Sequence, residues 1–439
     1  MNLLSFKGGV HPNDCKEISS QFPLETAPVP NKVFVFLSNH AGAPCKPLVK
    51  NGDKVKTGQK IGEANGFISA NLHSPITGEV KGIERIYHPS LGKPAEAIII
   101  ERDGEKDDYE YLSTKEYDSY TSKEIIERMY EAGIVGLGGA MFPTNVKFTP
   151  PENKEINTLV INAAECEPYL TVDYRLMLEK TEEILEGIKA AKRAAKAGSV
   201  IVGIEWNKEE AIKTFKAYIK KSDIKIAALK TKYPQGAEKQ LIYATTKRIV
   251  PAGGLPLDVG VVVINVGTVF AIYEALKYGK PLIERAVSVT GEGIKRPRNL
   301  ISRVGTLGSD LIDYCGGLTE NTKKLIYGGP MMGPSVPKKE VPTLKGTSGI
   351  LAMTEESKKE AFPCIRCGNC ANVCPMNLEP YLIEYYGSKR MYDKAVEHGL
   401  LNCMECGSCA YGCPAGIDLV KNFKLYKRVY RTLKGGAKK

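Results

Sequence analysis

Two stretches of this chain have residue types and spacing that could do redox chemistry. Cys364 to Pro375 reads CIRCGNCANVCP, and Cys403 to Pro414 reads CMECGSCAYGCP. Both follow C-x2-C-x2-C-x3-C-P. Three thiolates so spaced let one tight loop wrap three corners of an iron–sulfur cubane, and the fourth, followed by Pro, ligates the other cluster. The spacing therefore assigns Cys364, Cys367, Cys370 and Cys413 to one [4Fe–4S] cluster, and Cys403, Cys406, Cys409 and Cys374 to a second. Zinc is an alternative, because the two runs supply four ligands for each of two metals. Zinc sites, however, usually set one C-x2-C pair against a distant second pair. A disulfide framework belongs to small secreted chains and does not suit 439 residues.

A second candidate site lies mid-chain. AGIVGLGGAMFPTNVKF, Ala132 to Phe148, clusters Gly136, Gly138 and Gly139 where a backbone could approach a phosphate, with Lys147 able to reach it. The loop is neither a Walker A nor a good G-x-G-x-x-G. The next segment puts an apolar strand, Thr158 to Ile161, directly before Asn162, Glu165 and Glu167. Polar groups just past a strand's C-terminal end are where open α/β sheets bind ligands.

The elements that must position these residues follow from pattern. Ser122 to Glu131 reads as a short helix with Ser as its cap. SVIVGIE and IKIAAL read as strands separated by helices, and VGVVVINVGTVFAIY (Val259 to Tyr273) as a buried strand running into a helix. That alternation predicts an α/β fold with a largely parallel sheet. Residues 31 to about 105 read as short strands with turns. The final stretch, Lys421 to Lys439, carries eight basic residues and no acidic one. Val420, Phe423, Tyr426, Tyr430 and Leu433 recur there at helical spacing, so it reads as a basic amphipathic helix. It could touch an anionic membrane or an acidic partner. The plainer reading packs it on the cysteine domain with its basic face in water.

Bulk properties bound the class. The chain is 43% hydrophobic and 25% charged with a net charge of +11, ordinary for a soluble multidomain protein. Eight of its 12 cysteines lie in the two runs, and Cys15, Cys45, Cys166 and Cys315 are scattered singly, which suits a reducing compartment. The start, MNLLSFKGGVHPNDC, lacks a secretory h-region, and no apolar stretch is long enough to span a bilayer. No nucleic-acid motif accompanies the charge.

Resemblances sharpen these readings. Residues 31 to about 105 resemble the biotinyl/lipoyl carrier fold, but Glu63-Ala64-Asn65-Gly66-Phe67 stands where carriers have their modified lysine, and Gly66 cannot be acylated. The mid-chain segments resemble the flavin-bearing, NADH-oxidising subunit of respiratory complex I. The matching stretches are Gly136 to Phe148, Asn162 to Pro168, Tyr233 to Glu238 and Ile264 to Thr268. The resemblance implies that Gly136, Gly138, Gly139, Lys147, Asn162, Glu165, Gly236, Asn265 and Thr268 hold FMN, and that Phe142, Glu167 and Glu238 face NADH. Leu137, Ala164 and Ala237 depart from that family's pattern, replacing an arginine and two acids. Residues 281–333 resemble the small ubiquitin-like (SLBB) domain that follows the flavin domain there.

The order of parts is similar to the RnfC family, the peripheral flavin- and cluster-bearing subunits of the Rnf complex. That complex is a membrane-bound, ion-translocating ferredoxin:NAD+ oxidoreductase. The expected layout is an arm at 1–30, a barrel-sandwich β domain without carrier lysine at 31–110, and a Rossmann-like FMN/NADH domain at 115–275. An SLBB domain at 276–350, a helical ferredoxin-like domain for two [4Fe–4S] clusters at 351–420 and a basic tail at 421–439 complete it. The implied function is electron transfer between NAD(H) and ferredoxin through FMN and two [4Fe–4S] clusters, coupled to Na+ or H+ movement in other subunits. No catalytic side chain is expected, because hydride transfer occurs at FMN. The implied partners are the other Rnf subunits, including the ferredoxin-like iron–sulfur subunit, with ferredoxin reached indirectly. The implied place is the cytoplasmic face of the membrane. Alternatives are a soluble reductase of the same type, serving cobalamin or proline reductase, and a cluster-bearing adaptor that does not oxidise NADH.

Overall fold

The computed structural model describes residues 3–219, 223–355 and 360–436. Residues 437–439, the end of the basic tail, lie outside the described residues. Near the N-terminus two sheets face each other. One runs in the order Lys32–Phe36, Lys93–Arg102, Gly78–His88, Lys54–Val55; the other joins Lys46–Pro47, Lys60–Glu63 and Leu72–His73. Alternation decides which side chains go inside: Val33, Val35, Ile98 and Ile100 point inward with Val55, Ile61, Leu72 and Val80 as one core. Gly66 is at the tip beyond Lys60–Glu63, beside the exposed Phe67.

The middle of the chain builds a four-stranded parallel sheet in the order Ile224–Leu229, Ser199–Glu205, Thr158–Ala163, Val261–Asn265. Val261–Asn265 is buried along its whole length, as expected for a parallel strand covered on both faces. Helices Ser122–Glu131, Thr181–Ala195 and Val266–Lys277 pack against one another over the sheet. The cap of the first is Thr121, not Ser122: the Thr121 hydroxyl accepts from the Glu124 N–H while the Glu124 carboxylate accepts from the Thr121 N–H. The helix spans the residues the sequence pattern gives, and the capping box places its cap one residue earlier. Strand order reverses between Thr158–Ala163 and Val261–Asn265, where Asn162 and Asn265 are direct neighbours. In open α/β sheets a ligand crevice opens at such a switch point.

A six-stranded mixed sheet follows. Glu284–Thr290 is flanked by Arg298–Arg303 on one side and Gly349–Met353 on the other. Leu24–Thr26 from the N-terminal arm adds to it, parallel to Arg298–Arg303. The cysteine runs lie in a helical unit. Its core joins Ile383, Ala395, Leu400 and Cys409 to Leu419, Phe423 and Tyr426 of the helix Leu419–Gly436. That helix buries Leu419, Phe423 and Tyr426 on the cysteine unit, while Leu433 and the basic Lys421, Lys424, Arg428 and Arg431 stay exposed. Among the described residues, no helix is long and apolar enough to cross a membrane.

Candidate flavin and iron–sulfur centres

The glycine loop closes like a small hairpin. Gly136 N–H donates to the Phe142 carbonyl at 2.9 Å, and Thr144 N–H to the Ile134 carbonyl at 3.0 Å. Leu137 is clamped from both ends of its peptide. Its N–H donates to Thr268 Oγ1 at 2.9 Å, and its carbonyl accepts from the buried Arg285 at 2.8 Å. The loop then passes over the end of Val261–Asn265. A Cβ on Gly138 would lie 3.0 Å from the Asn265 side chain, so that approach leaves little room for any side chain. Gly138, Gly139 and Ala140 are exposed, and nothing lies within 4 Å of a Cβ built on Gly139.

Asn265 joins strand to helix. Its Oδ1 accepts from Gly267 N–H at 2.9 Å and caps the helix Val266–Lys277, while its Nδ2 donates to Asp173 at 2.6 Å. The other Asp173 oxygen is buried without a partner. Beside it, Asn162 Nδ2 donates to the Gly236 carbonyl at 2.7 Å. A Cβ on Gly236 would meet Ala164, Cys166 and Asn162 at 3.3 to 3.4 Å. Neighbouring Gln235 is fully buried with neither amide atom paired. An open glycine loop and close-packed Gly138 and Gly236, with spare polar atoms at a switch point, fit a polar, phosphate-bearing ring cofactor such as FMN.

The other expected contacts are distributed differently. Lys147 donates to Glu238 at 2.9 Å and to the Val263 carbonyl at 3.0 Å, so the two residues form one ion pair tied to the strand Val261–Asn265. Glu165 does not extend into the cradle: its carboxylate accepts from Asp173 N–H at 2.7 Å and Tyr174 N–H at 3.3 Å, at the start of the helix Val172–Glu179. Glu167 accepts from Met331 and Met332 N–H, each at 3.0 Å, and is engaged by the loop of the mixed sheet. Burial pushes both carboxyls up to about 7. Phe142 is half-buried, its carbonyl closing the hairpin.

Four residues without any local motif hold these pieces. Lys208 donates to the Ala164 carbonyl at 2.7 Å, and Lys16 donates to the Leu170 carbonyl at 2.6 Å and that of Glu167 at 3.0 Å. Both lysines are buried, and burial pulls the Lys16 amine down. Asp173 and Arg285 complete the set. Their partners lie tens to more than a hundred residues away in sequence, so no pattern announces them.

The cysteines form two groups of unlike exposure. Cys374, Cys403, Cys406 and Cys409 line one cavity with Met376, Leu378 and Phe423. Burial, then the neighbouring Cys403, Cys406, Cys374 and Cys370, push the Cys409 thiol up. Cys364 and Cys367 are exposed, and Cys370 and Cys413 half-buried. Asn369 Nδ2 donates to the Gly412 carbonyl at 2.6 Å, and Phe362 N–H to that of Ala415 at 2.9 Å, tying the two runs together around Cys413. Arg366 and Glu405, each two residues past the first cysteine of its run, both have positive φ, 56° and 61°.

Contacts from the segment Tyr233 to Gln240 join the two centres, Gln240 Nε2 donating to the Pro375 carbonyl at 3.0 Å. The Tyr233 hydroxyl, on the segment that carries Gln235 and Gly236, donates to the Cys406 carbonyl at 2.7 Å. Tyr233, Cys406 and Val10 pack with Cys166, Met331, Val373 and Met404.

Comparisons with known proteins match four successive stretches of the chain. Family models match residues 4–105 (RnfC barrel sandwich hybrid domain), 129–274 (Nuo51 FMN-binding domain), 286–335 (SLBB domain) and 357–414 (4Fe-4S dicluster domain). The RnfC protein of the proton-translocating ferredoxin:NAD(+) oxidoreductase complex of Clostridium ljungdahlii is 44% identical over 90% of this chain and 87% of its own length. Its counterpart in the Na(+)-translocating complex of Acetobacterium woodii is 44% identical over 97% of this chain and 96% of its own. Among solved structures, a chain of an NAD+-reducing [NiFe]-hydrogenase in the H2-reduced state shares the fold at 18% identity. Its TM-score is 0.50, covering 72% of this chain and 67% of that one.

Proposed function

Since the chain belongs to the RnfC family of ion-translocating ferredoxin:NAD+ oxidoreductase complexes, we propose that its two cysteine runs act in series, the second on the flavin side and the first as the outlet. The chain is an oxidoreductase subunit that carries FMN and two [4Fe–4S] clusters and works between NAD(H) and ferredoxin. FMN, when bound, takes the two electrons of a hydride together and exchanges them singly, as [4Fe–4S] clusters require.

The chain's own residues supply placement. Gly136, Gly138 and Gly139 bring backbone to the cofactor, Asn162, Gly236, Asn265 and Thr268 shape its floor, and the Lys147–Glu238 pair sets the charge beneath it. Glu165 acts one step back, by fixing the helix that carries Asp173. Phe142 and Glu238 remain the residues offered to NADH; Glu167 is committed to the Met331–Met332 backbone. Cys403, Cys406, Cys409 and Cys374 hold one cluster, and Cys364, Cys367, Cys370 and Cys413 the other. The observation that carries the order is the Tyr233–Cys406 hydrogen bond, which ties the second run to the flavin segment, as Gln240 ties Pro375 beside Cys374, while Cys364 and Cys367 lie exposed.

The chain works beside other members of the complex. We place it on the cytoplasmic face of the membrane, exchanging electrons with the ferredoxin-like iron–sulfur subunit and only through it with ferredoxin. Rapid mixing with NADH tests the order. Without the second-run cluster (Cys409→Ser), flavin bleaches while the remaining cluster stays oxidised. Without the first-run cluster (Cys367→Ser), the remaining cluster is still reduced. The reverse pattern refutes the order.

A further inference from the structure

We infer that the segment Phe6–Val10 is the positioning element for electron transfer between the flavin unit and the second-run cluster, with Gly8, Gly9 and Lys232 as its positioning residues. This rests on the serial order proposed above. The segment lies between the two units and bonds to both. Leu4 N–H donates to the Ala228 carbonyl and Lys230 N–H to that of Leu4, each at 2.9 Å, so the chain enters along Ile224–Leu229, the edge strand of the flavin sheet. Val10 N–H then donates to the Tyr233 carbonyl at 2.8 Å, and Tyr233 N–H to that of Val10 at 2.9 Å. On the other side, Gly9 N–H donates to the Val373 carbonyl at 2.9 Å. Val373 directly precedes Cys374, which the spacing assigns to the second-run cluster. The Tyr233 hydroxyl reaches the Cys406 carbonyl, on another ligand assigned to that cluster. The flavin segment is thus fastened to two of the cluster's ligand positions, once directly and once through Phe6–Val10.

Residue type makes the fit possible. Gly8 and Gly9 both have positive φ, 79° and 85°, which bends the chain sharply where other residues would be strained. A Cβ on Gly8 would lie 2.7 Å from the Cys374 carbonyl oxygen, and one on Gly9 2.7 Å from that of Tyr233. Backbone therefore meets backbone on both sides, with no side chain as a spacer. Lys232 holds the bend: its amine donates to the Phe6 carbonyl at 2.9 Å and the Gly8 carbonyl at 2.6 Å, and lies 4.1 Å over the Phe6 ring. Phe6, Val10 and Tyr233 are buried. Units of one chain move relative to one another unless an interface fixes them. Electron transfer between separated centres forms no bond, so its rate falls steeply as the gap widens, and a seam without slack holds that gap. Each transfer oxidises the flavin side by one electron and reduces the cluster by one. Two transfers discharge one NADH to NAD+ and one proton.

The test uses the full chain with FMN and both clusters, carrying Gly8→Ala or Lys232→Met and mixed anaerobically with NADH. Gly8→Ala drives a methyl group against the Cys374 carbonyl, whereas Lys232→Met loosens the bend without adding a clash. FMN content, iron content and the rate of flavin bleaching should stay at wild-type levels. Loss of iron–sulfur absorbance should slow at least about tenfold, since a misplacement of about 1 Å can cost more than that. Amide hydrogen exchange should rise in both variants over residues 6–10 and 371–375, a readout independent of turnover. Unchanged iron–sulfur reduction with raised exchange overturns the assignment and leaves the segment as a simple join. Loss of flavin or iron from both variants also overturns it, because the segment then serves cofactor retention. If Cys409→Ser leaves the first-run cluster reducible by NADH, the underlying serial order falls and the assignment falls with it.

Discussion

At the scale of single residues, the cysteine spacing makes a claim that substitution can check. Cys374 lies in the first run but lines a cavity with Cys403, Cys406 and Cys409. Cys374→Ser should therefore abolish the same paramagnetic signal as Cys403→Ser, and Cys413→Ser the same as Cys364→Ser. Each variant should retain about four of about eight irons. Pairing by run, with Cys374→Ser matching Cys364→Ser, would contradict the crossed assignment. The cysteines were legible because ligand type and spacing are local properties of the chain. Lys16, Lys208 and Arg285 were not, because each acts through a backbone carbonyl of a distant segment. Glu167 shows the same limit: its place in a motif does not announce that Met331 N–H, 164 residues away, donates to its carboxylate.

At the scale of elements, Asn265 connects strand end, helix start and glycine loop. Asn265→Ala removes a helix cap, costing about 1 kcal/mol, and leaves Asp173 without its donor. Reduced flavin occupancy is expected with both clusters intact, measured by flavin and iron content of the purified chain. Full flavin retention would show that Asn265 serves the helix alone. Strands such as SVIVGIE and IKIAAL are visible in sequence because most of their residues are apolar and buried, as in parallel sheets covered by helices. The Thr121 cap was hidden by the neighbouring Ser122, an equally good cap by type. The pairing of Leu24–Thr26 with Arg298–Arg303 was hidden because three residues carry too little periodicity to announce a strand.

At the scale of the whole molecule, Lys345 pins three parts together. Its buried amine donates to the Asn71 carbonyl in the barrel unit at 3.0 Å and to the Gly133 carbonyl beside the flavin loop at 2.7 Å, while its own N–H donates to Asn39 at 2.8 Å. Lys345→Met should cost about 1–3 kcal/mol for each carbonyl left without a donor. Burial lowers the Lys345 amine from 10.5 to about 7. A lysine whose folded value is depressed carries its full penalty below that value and loses it as pH rises toward the unfolded value. The wild type should thus gain stability relative to Lys345→Met between pH about 7 and about 10.5. Thermal unfolding across that window checks it, and a constant difference would mean that the amine does not titrate there. The order of the parts was readable from four separate resemblances along the chain. Their docking was not, because it depends on single buried polar groups such as Lys345 and Tyr233. The central claim is that electrons of NADH enter at the flavin and reach both clusters through this chain. Its most direct test is anaerobic: quantify FMN and iron in the purified chain, add NADH and follow absorbance. The account predicts bleaching of the flavin band followed by loss of iron–sulfur absorbance. Iron without flavin, or flavin that NADH leaves oxidised, would contradict it.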